Sequence, residues 1–377
     1  MTVPSGQSKM NRRRFLIATG GCAAGAAFLA KAAGGRAGGR LLKTEAGYYR
    51  KRPDRSVQCD LCPRQCLVEP GKRGACDVRA NQDGVFYSLV YGRIAAMHND
   101  PIEKKPFFHF LPGSSALSIA TVGCNFDCKF CQNWDLSQQR PEEADTAETP
   151  PEDVVRSAVK WGCRSIAYTY NEPVVFAEFV RDTASAGKRQ GIRSVVVSNG
   201  FIRKPPLADL AKSIDGYKVD LKAFDDAFYR DVVGGRLQPV LDTLVNLKSL
   251  GLWTEIVYLL VPTLNDDPVQ LREMVSWVAR ELGPDVPLHF SRFYPQYKLK
   301  NLPPTPVQTL DRAWNLAKDK GMHFAYMGNV PGHPGENTVC PVCQKIVIRR
   351  IGFQTIENHI RAGACGFCGR TMPGVWS

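Results

Sequence analysis

The sequence predicts an α/β fold in which a largely parallel sheet, with helical crossovers, is bracketed by two cysteine-rich modules. Three observations carry this. Strand-like and helical runs alternate from residue 116 to about residue 329, and repeated βα units imply parallel strands joined by helices, hence a full or partial barrel. Eleven of the thirteen cysteines fall in three clusters, at 59–76, 124–131 and 340–368; short gaps of this kind mark metal sites rather than a disulfide framework. Hydrophobic residues make up 44% of the 377, enough for a sizeable core.

The formal charge is +13, but its distribution matters more than its size. Residues 1–58 hold twelve basic and two acidic side chains and so carry +10 of it, leaving +3 for everything after. A nearly neutral body gives no strong nucleic-acid signal. The basic start is a processing segment rather than fold. Within residues 1–33, Asn11-Arg12-Arg13-Arg14-Phe15-Leu16-Ile17 resembles a twin-arginine export signal, followed by a weakly apolar stretch at 17–30 and a small-residue cleavage site at Ala30-Lys31-Ala32. That stretch is too short and too rich in Gly and Ala to span a bilayer, so the mature chain is expected to carry no membrane span. Cys22 follows Thr19-Gly20-Gly21, a poor lipid-attachment signal. Residues 34–55 read as a linker that begins rich in Gly and Arg. The signal points to the periplasm or cell envelope.

The N-terminal extension, residues 56–112, carries Cys59, Cys62, Cys66 and Cys76, with Pro63, Gly71 and Gly74 supplying tight turns. Four thiolates close a structural zinc site or hold a second iron–sulfur cluster. Nothing in the loop indicates an electron-transfer partner, which favours zinc. Short strands are expected at 85–90 and 93–96. A polar-aromatic run at 100–110 follows, where His109, set among phenylalanines, reads as a packed or hydrogen-bonded histidine rather than a ligand.

Residues 113–330 form the predicted barrel. Strand-like runs stand at 117–122, 165–170, 193–198, 216–221, 254–261, 288–293 and 323–327. Among the helices, Thr149-Pro150-Pro151-Glu152-Asp153 supplies a cap, prolines and acids before 154–161. Leu271, Met274, Val275, Val278 and Leu282 make a helical stripe, and 307–320 behaves likewise. Cys163, between a helix end and a strand, reads as a buried, inert thiol. Chemistry in such barrels collects at the C-terminal ends of the strands. Just after the first run stand Cys124, Cys128 and Cys131, spaced C-x3-C-x2-C. A four-iron cluster normally takes four thiolates; three leave one iron open to a small molecule. The plainer readings are a stray trio or a zinc site short of a ligand. The spacing, Phe130 before the last cysteine and the preceding strand weigh against both.

Residues 331–377 close with Cys340, Cys343, Cys365 and Cys368, two C-x2-C pairs around a strand-like segment at 346–348. This is the pattern of a zinc ribbon, whose ion staples a module that lacks its own core.

The Cys124–Cys131 spacing, with Phe130, resembles the cluster motif of radical SAM enzymes. With 169–173, Ser198-Asn199-Gly200, Asp220-Leu221-Lys222 and the 261–266 turn, it resembles their pyruvate formate-lyase activating branch. Cys59-Asp60-Leu61-Cys62-Pro63, the 100–106 run, 128–134 and the terminal Pro373-Gly374-Val375-Trp376 are similar to the AmmeMemoRadiSam system radical SAM enzymes, from about residue 56 to the end. The resemblance implies a radical SAM partial (β/α)6-type barrel with a [4Fe–4S] cluster on Cys124, Cys128 and Cys131. It also implies reductive cleavage of S-adenosyl-L-methionine (SAM) to a 5′-deoxyadenosyl radical, which abstracts hydrogen from an unassigned substrate, a protein among the candidates. An electron donor of flavodoxin or ferredoxin type is then needed, and the family name implies AMMECR-type and Memo-type partners.

On this reading the strand ends cradle SAM. Glu172 accepts from its ammonium, Lys222 beside Asp220 suits its carboxylate, and Val261 gives adenine an apolar edge. Phe130, Ser198, Asn199 and His289 complete the cofactor-binding set. Singly each is weak: the Asn171-Glu172-Pro173 and Ser198-Asn199-Gly200 triplets commonly serve only as turns, and Asp220 and Lys222 also suit each other. The export signal is a departure, because SAM and low-potential reductants belong to the cytoplasm. The competing class is a non-catalytic iron–sulfur and zinc protein serving binding or electron transfer.

Overall fold

The computed structural model describes residues 43–377; the export signal, Cys22 and the start of the linker lie outside the described residues. At the centre is an eight-stranded sheet. In chain order its strands are β1 (Ala96–Pro101), β2 (Ser115–Ala120), β3 (Ser165–Tyr168), β4 (Arg193–Ser198), β5 (Gly216–Asp220), β6 (Trp253–Leu260), β7 (Leu288–Arg292) and β8 (Ala325–Gly328). They lie side by side in that order, with β1 and β8 at the edges. β2 through β8 run parallel, and β1 pairs antiparallel with β2.

The seven strand-like runs of the sequence are the seven parallel strands, one more than the family resemblance implies; β8 is the extra one. Strands covered on both faces read as continuous apolar runs, and β3 is buried at all four positions. Parallel neighbours need a crossover. Six helices provide it between consecutive strands from β2 to β8: α1 (Pro151–Lys160), α2 (Ala177–Lys188), α3 (Lys204–Leu210), α4 (Gln238–Ser249), α5 (Pro268–Glu281) and α6 (Val307–Asp319). Their starts follow local chemistry. Pro151 begins α1 with Glu152 and Asp153 in its first turn. Asp267 caps α5, accepting from the N–H groups of Val269 and Gln270 at 2.9 and 3.0 Å.

Three features depart from the sequence reading. Part of the expected linker is ordered chain: Tyr49–Lys51 pairs antiparallel with Val57–Cys59, and the Tyr48 hydroxyl donates to Asp209 at 2.5 Å. Second, β1 extends the central sheet, pairing antiparallel across six residues of β2. Third, the C-terminal module shares a core with the sheet. Phe108, Phe324 and Tyr326 pack in one cluster with Cys340, Val347, Ile348 and Cys365. The buried Arg350 donates to the Phe108 carbonyl at 2.7 Å. His109 behaves as expected: Nδ1 faces the Pro373 carbonyl at 2.7 Å and Nε2 the Tyr326 hydroxyl at 2.6 Å. Among the described residues no helix is long and apolar enough to cross a membrane.

Candidate active site

A cavity of about 390 Å³ opens at the C-terminal ends of the parallel strands, a size suited to a small-molecule ligand. Alternate residues of a strand face the same side, so β5 presents Lys218 and Asp220, β6 Val257 and Leu259, and β7 His289 and Ser291. Cys124, Cys128 and Cys131 line the same space, as do Phe130, Glu172, Ser198, Asn199 and Lys222. Ten of the eleven residues singled out for the central site therefore converge. Val261 is the exception. It lies past the end of β6, buried, in a turn where its N–H donates to Asn265 Oδ1 at 2.6 Å; Val257 and Leu259 supply the apolar wall instead.

The cysteine loop is pinned from several sides. Gly123 has φ +88°, and a Cβ there would stand 2.4 Å from Val78 Cγ1 and 2.9 Å from the Cys76 carbonyl oxygen, so only glycine fits. Asn171 Nδ2 donates to the Gly123 carbonyl at 3.0 Å. Asn199 Nδ2 donates to Asn125 Oδ1 at 2.8 Å and lies 3.8 Å from Cys124 Sγ. Beyond Cys124, the N–H groups of Asp127 and Lys129 donate to the carbonyls of Val233 and Val232, both at 3.0 Å. Phe130 is buried and packs against Phe228.

Several side chains first read as ligand partners are already engaged with the protein. Glu172 accepts from the Val174 and Asn199 N–H groups at 3.0 and 2.8 Å and from the Ser198 hydroxyl at 2.7 Å. Burial pushes its carboxyl up to about 7, against the pull of those donors. Ser198 Oγ also accepts from Tyr217 and from the Gly200 N–H, so it ties strand ends together more than it offers a free hydroxyl. Lys222 lies 3.0 Å from Asp220, which also pairs with the buried Lys218. Burial opposes the Lys222 charge, but the Asp220 carboxylate outweighs it and holds its ammonium above the ordinary lysine range. His289 Nε2 meets the buried Glu255 carboxylate at 2.8 Å.

Sequence reasoning passed over Lys218, Glu255 and a group at the sheet edge. Lys105 lines the cavity, and its Nζ lies 2.7 Å from Asp100, which also accepts from the Tyr170 hydroxyl at 2.6 Å. Burial pushes the Asp100 carboxyl up, but hydrogen bonds from Lys104, Lys105 and Tyr170 outweigh it and hold the group well below the carboxylate range. The signal for Lys218 was present: it stands two residues before Asp220 and so shares its face.

The cysteine sets differ in spacing. Among the described residues, the sulfurs of Cys340, Cys343, Cys365 and Cys368 form a group all within 4.8 Å of one another, with Cys340 and Cys368 3.6 Å apart and Cys343 and Cys365 3.8 Å apart. Four thiolates at about 2.3 Å from one tetrahedral ion stand roughly this far apart, so the set fits a single metal. No such tight group forms at Cys124, Cys128 and Cys131, which instead border a cavity. Thiolates bound to different irons of one cluster need that wider arrangement.

Residues 118–275 match the radical SAM superfamily. An uncharacterized protein of Methanocaldococcus jannaschii is 44% identical over 330 residues, 87% of this chain and 98% of its own length. The chain belongs to the radical SAM superfamily. It is similar to the pyruvate formate-lyase 1-activating enzyme of Escherichia coli K12, at 24% identity over 53% of this chain and 87% of that one. A crystal structure of a radical SAM methyltransferase from Sphaerobacter thermophilus aligns with a TM-score of 0.45 and 15% identity, over 60% of this chain and 71% of that one. The protein is thus a SAM-dependent radical enzyme, and its superfamily implies a [4Fe–4S] cluster and SAM.

Proposed function

We propose that Cys124, Cys128 and Cys131 hold the [4Fe–4S] cluster and that the strand ends around them bind SAM. The observation that carries this is the convergence of three separated thiols with Glu172, Asn199, Asp220 and Lys222 on one cavity. Held there, the cluster would supply one-electron reduction of SAM, whose cleavage would give methionine and a 5′-deoxyadenosyl radical able to take hydrogen from substrate. The protein's own part is positioning and exclusion of water. Asn199 steadies the Cys124 loop; Lys222 would hold the SAM carboxylate, Glu172 its ammonium, and Val257 and Leu259 would give the adenine an apolar wall.

On the same reading the open sheet is a partial barrel, with its concave face toward the cavity. Cys340, Cys343, Cys365 and Cys368 form a zinc-ribbon-like staple. The substrate is a protein, as for the activating enzymes, and the electron comes from a flavodoxin- or ferredoxin-type donor. AMMECR-type and Memo-type proteins are the partners we assign. Export by the twin-arginine-like signal belongs to this reading too; a chain equally cytoplasmic with Arg12 and Arg13 intact or replaced by Lys would end it.

The site is tested on anaerobically reconstituted full chain, reduced with dithionite. SAM is expected to change the electron paramagnetic resonance spectrum of the reduced cluster, because it binds the open iron. A four-iron signal indifferent to saturating SAM would overturn the assignment.

A further inference from the structure

The N-terminal quartet lies outside the chemistry described so far. Cys59, Cys62, Cys66 and Cys76 line one small pocket together with Asn125 and Val174. No three of their sulfurs share the tight spacing of the C-terminal four. That contrast is internal to one molecule, and it matters because a single tetrahedral ion would draw four thiolates to about 3.8 Å from each other, given bonds of about 2.3 Å. The quartet is arranged around a space, as thiolates bound to different irons must be.

The pocket also has a particular neighbour. Gly123 and Asn125 flank Cys124; Asn125 lines the pocket, and Gly123 backs onto the Cys76 backbone. The approach of Gly123 to Val78 and the Cys76 carbonyl is so close that no Cβ fits. The Asn125 carbonyl accepts from Arg64 Nε at 2.6 Å, and its side chain meets Asn199 on the opposite side. The quartet therefore sits against the back of the Cys124 loop.

We propose that Cys59, Cys62, Cys66 and Cys76 hold a second iron–sulfur cluster, not zinc, packed directly behind the Cys124 loop. The assignment replaces the preference for zinc that the loop sequence alone supports. It does not depend on the Cys124 cluster being present, so the two are tested apart.

The test is metal and sulfide analysis, with Mössbauer spectroscopy, on full-length chain reconstituted anaerobically with iron and sulfide, as wild type and as the Cys124→Ala/Cys128→Ala/Cys131→Ala variant. The triple variant is expected to keep at least about two irons per chain with matching sulfide in a cluster signature, and about one zinc at the C-terminal site. Wild type should exceed it by about four irons. Two zinc ions and no cluster iron in the triple variant would overturn the proposal, whether or not wild type holds its four-iron cluster. Because cysteine loss at 59–76 can unfold the extension, a second measurement uses wild type alone: Mössbauer spectra should contain more cluster iron than one four-iron site accounts for. A total of about four irons beside two zincs would overturn the proposal equally.

Discussion

The Cys124 loop and the C-terminal module both present cysteines in short-gap pairs, yet the structure treats them differently. Cys340, Cys343, Cys365 and Cys368 converge until their sulfurs nearly touch. Cys124, Cys128 and Cys131 remain apart and share their space with charged strand-end residues. Spacing along the chain therefore marks a metal site, while spacing across the fold indicates what kind. The tight set fits one ion and leaves no room for a further ligand. The open set leaves room for chemistry.

Breaking the open set should have the largest effect. Cys124→Ala, Cys128→Ala and Cys131→Ala, singly or together, are expected to abolish SAM cleavage by the reconstituted enzyme, measured as 5′-deoxyadenosine formed. Next comes Gly123→Ala, which forces a methyl group onto Val78 and the Cys76 carbonyl at a positive φ. It should destabilise the fold by about 2–4 kcal/mol in chemical denaturation and lower cluster iron, whereas Gly162→Ala, at φ +66° with open space around it, should cost about 1 kcal/mol and leave iron unchanged.

Lys222→Met should weaken SAM binding about 10- to 100-fold in equilibrium dialysis, the loss of one charged hydrogen bond in a buried site. Glu172 gives the comparison a pH axis. Its carboxyl is pushed up to about 7 by burial, and only the ionised form attracts the SAM ammonium, so affinity should rise as pH increases through about 7. Glu172→Gln should flatten that rise; an unchanged profile would remove Glu172 from the ammonium site. The smallest effect on chemistry is expected from the tight set. Cys343→Ala/Cys368→Ala should release one zinc and lower Tm by about 2–3 °C, corresponding to roughly 2 kcal/mol for a chain of this length, while changing SAM cleavage at 20 °C less than about threefold.

Much of this was legible in the sequence because burial on both faces writes a strand as a plain apolar run. All seven parallel strands were readable, although β5 and β7 carry polar residues at alternate positions, and the position of Cys124 after the first followed. The strand-end residues were legible through shared placement, although their occupations were not. Nothing in Ser198-Asn199-Gly200 reveals that Ser198 and Asn199 are held by Glu172, Tyr217 and Asn125. Val261 stands apart from the cavity lining because strand β6 stops at Leu260 and the chain turns. The contacts of Lys105 with Tyr170, and of Arg350 with Phe108, join elements far apart in the chain. No local pattern encodes such contacts. The two four-cysteine sets differ in spacing along the chain, but that spacing does not reveal how far apart their sulfurs stand in the fold.

The most direct measurement is SAM turnover itself. Anaerobically reconstituted full-length protein, reduced with dithionite and given SAM, should produce methionine and 5′-deoxyadenosine in equal amounts, and neither product should form in the Cys124→Ala/Cys128→Ala/Cys131→Ala variant. A fully reduced four-iron cluster standing beside intact SAM, with candidate protein substrates present, would contradict the account.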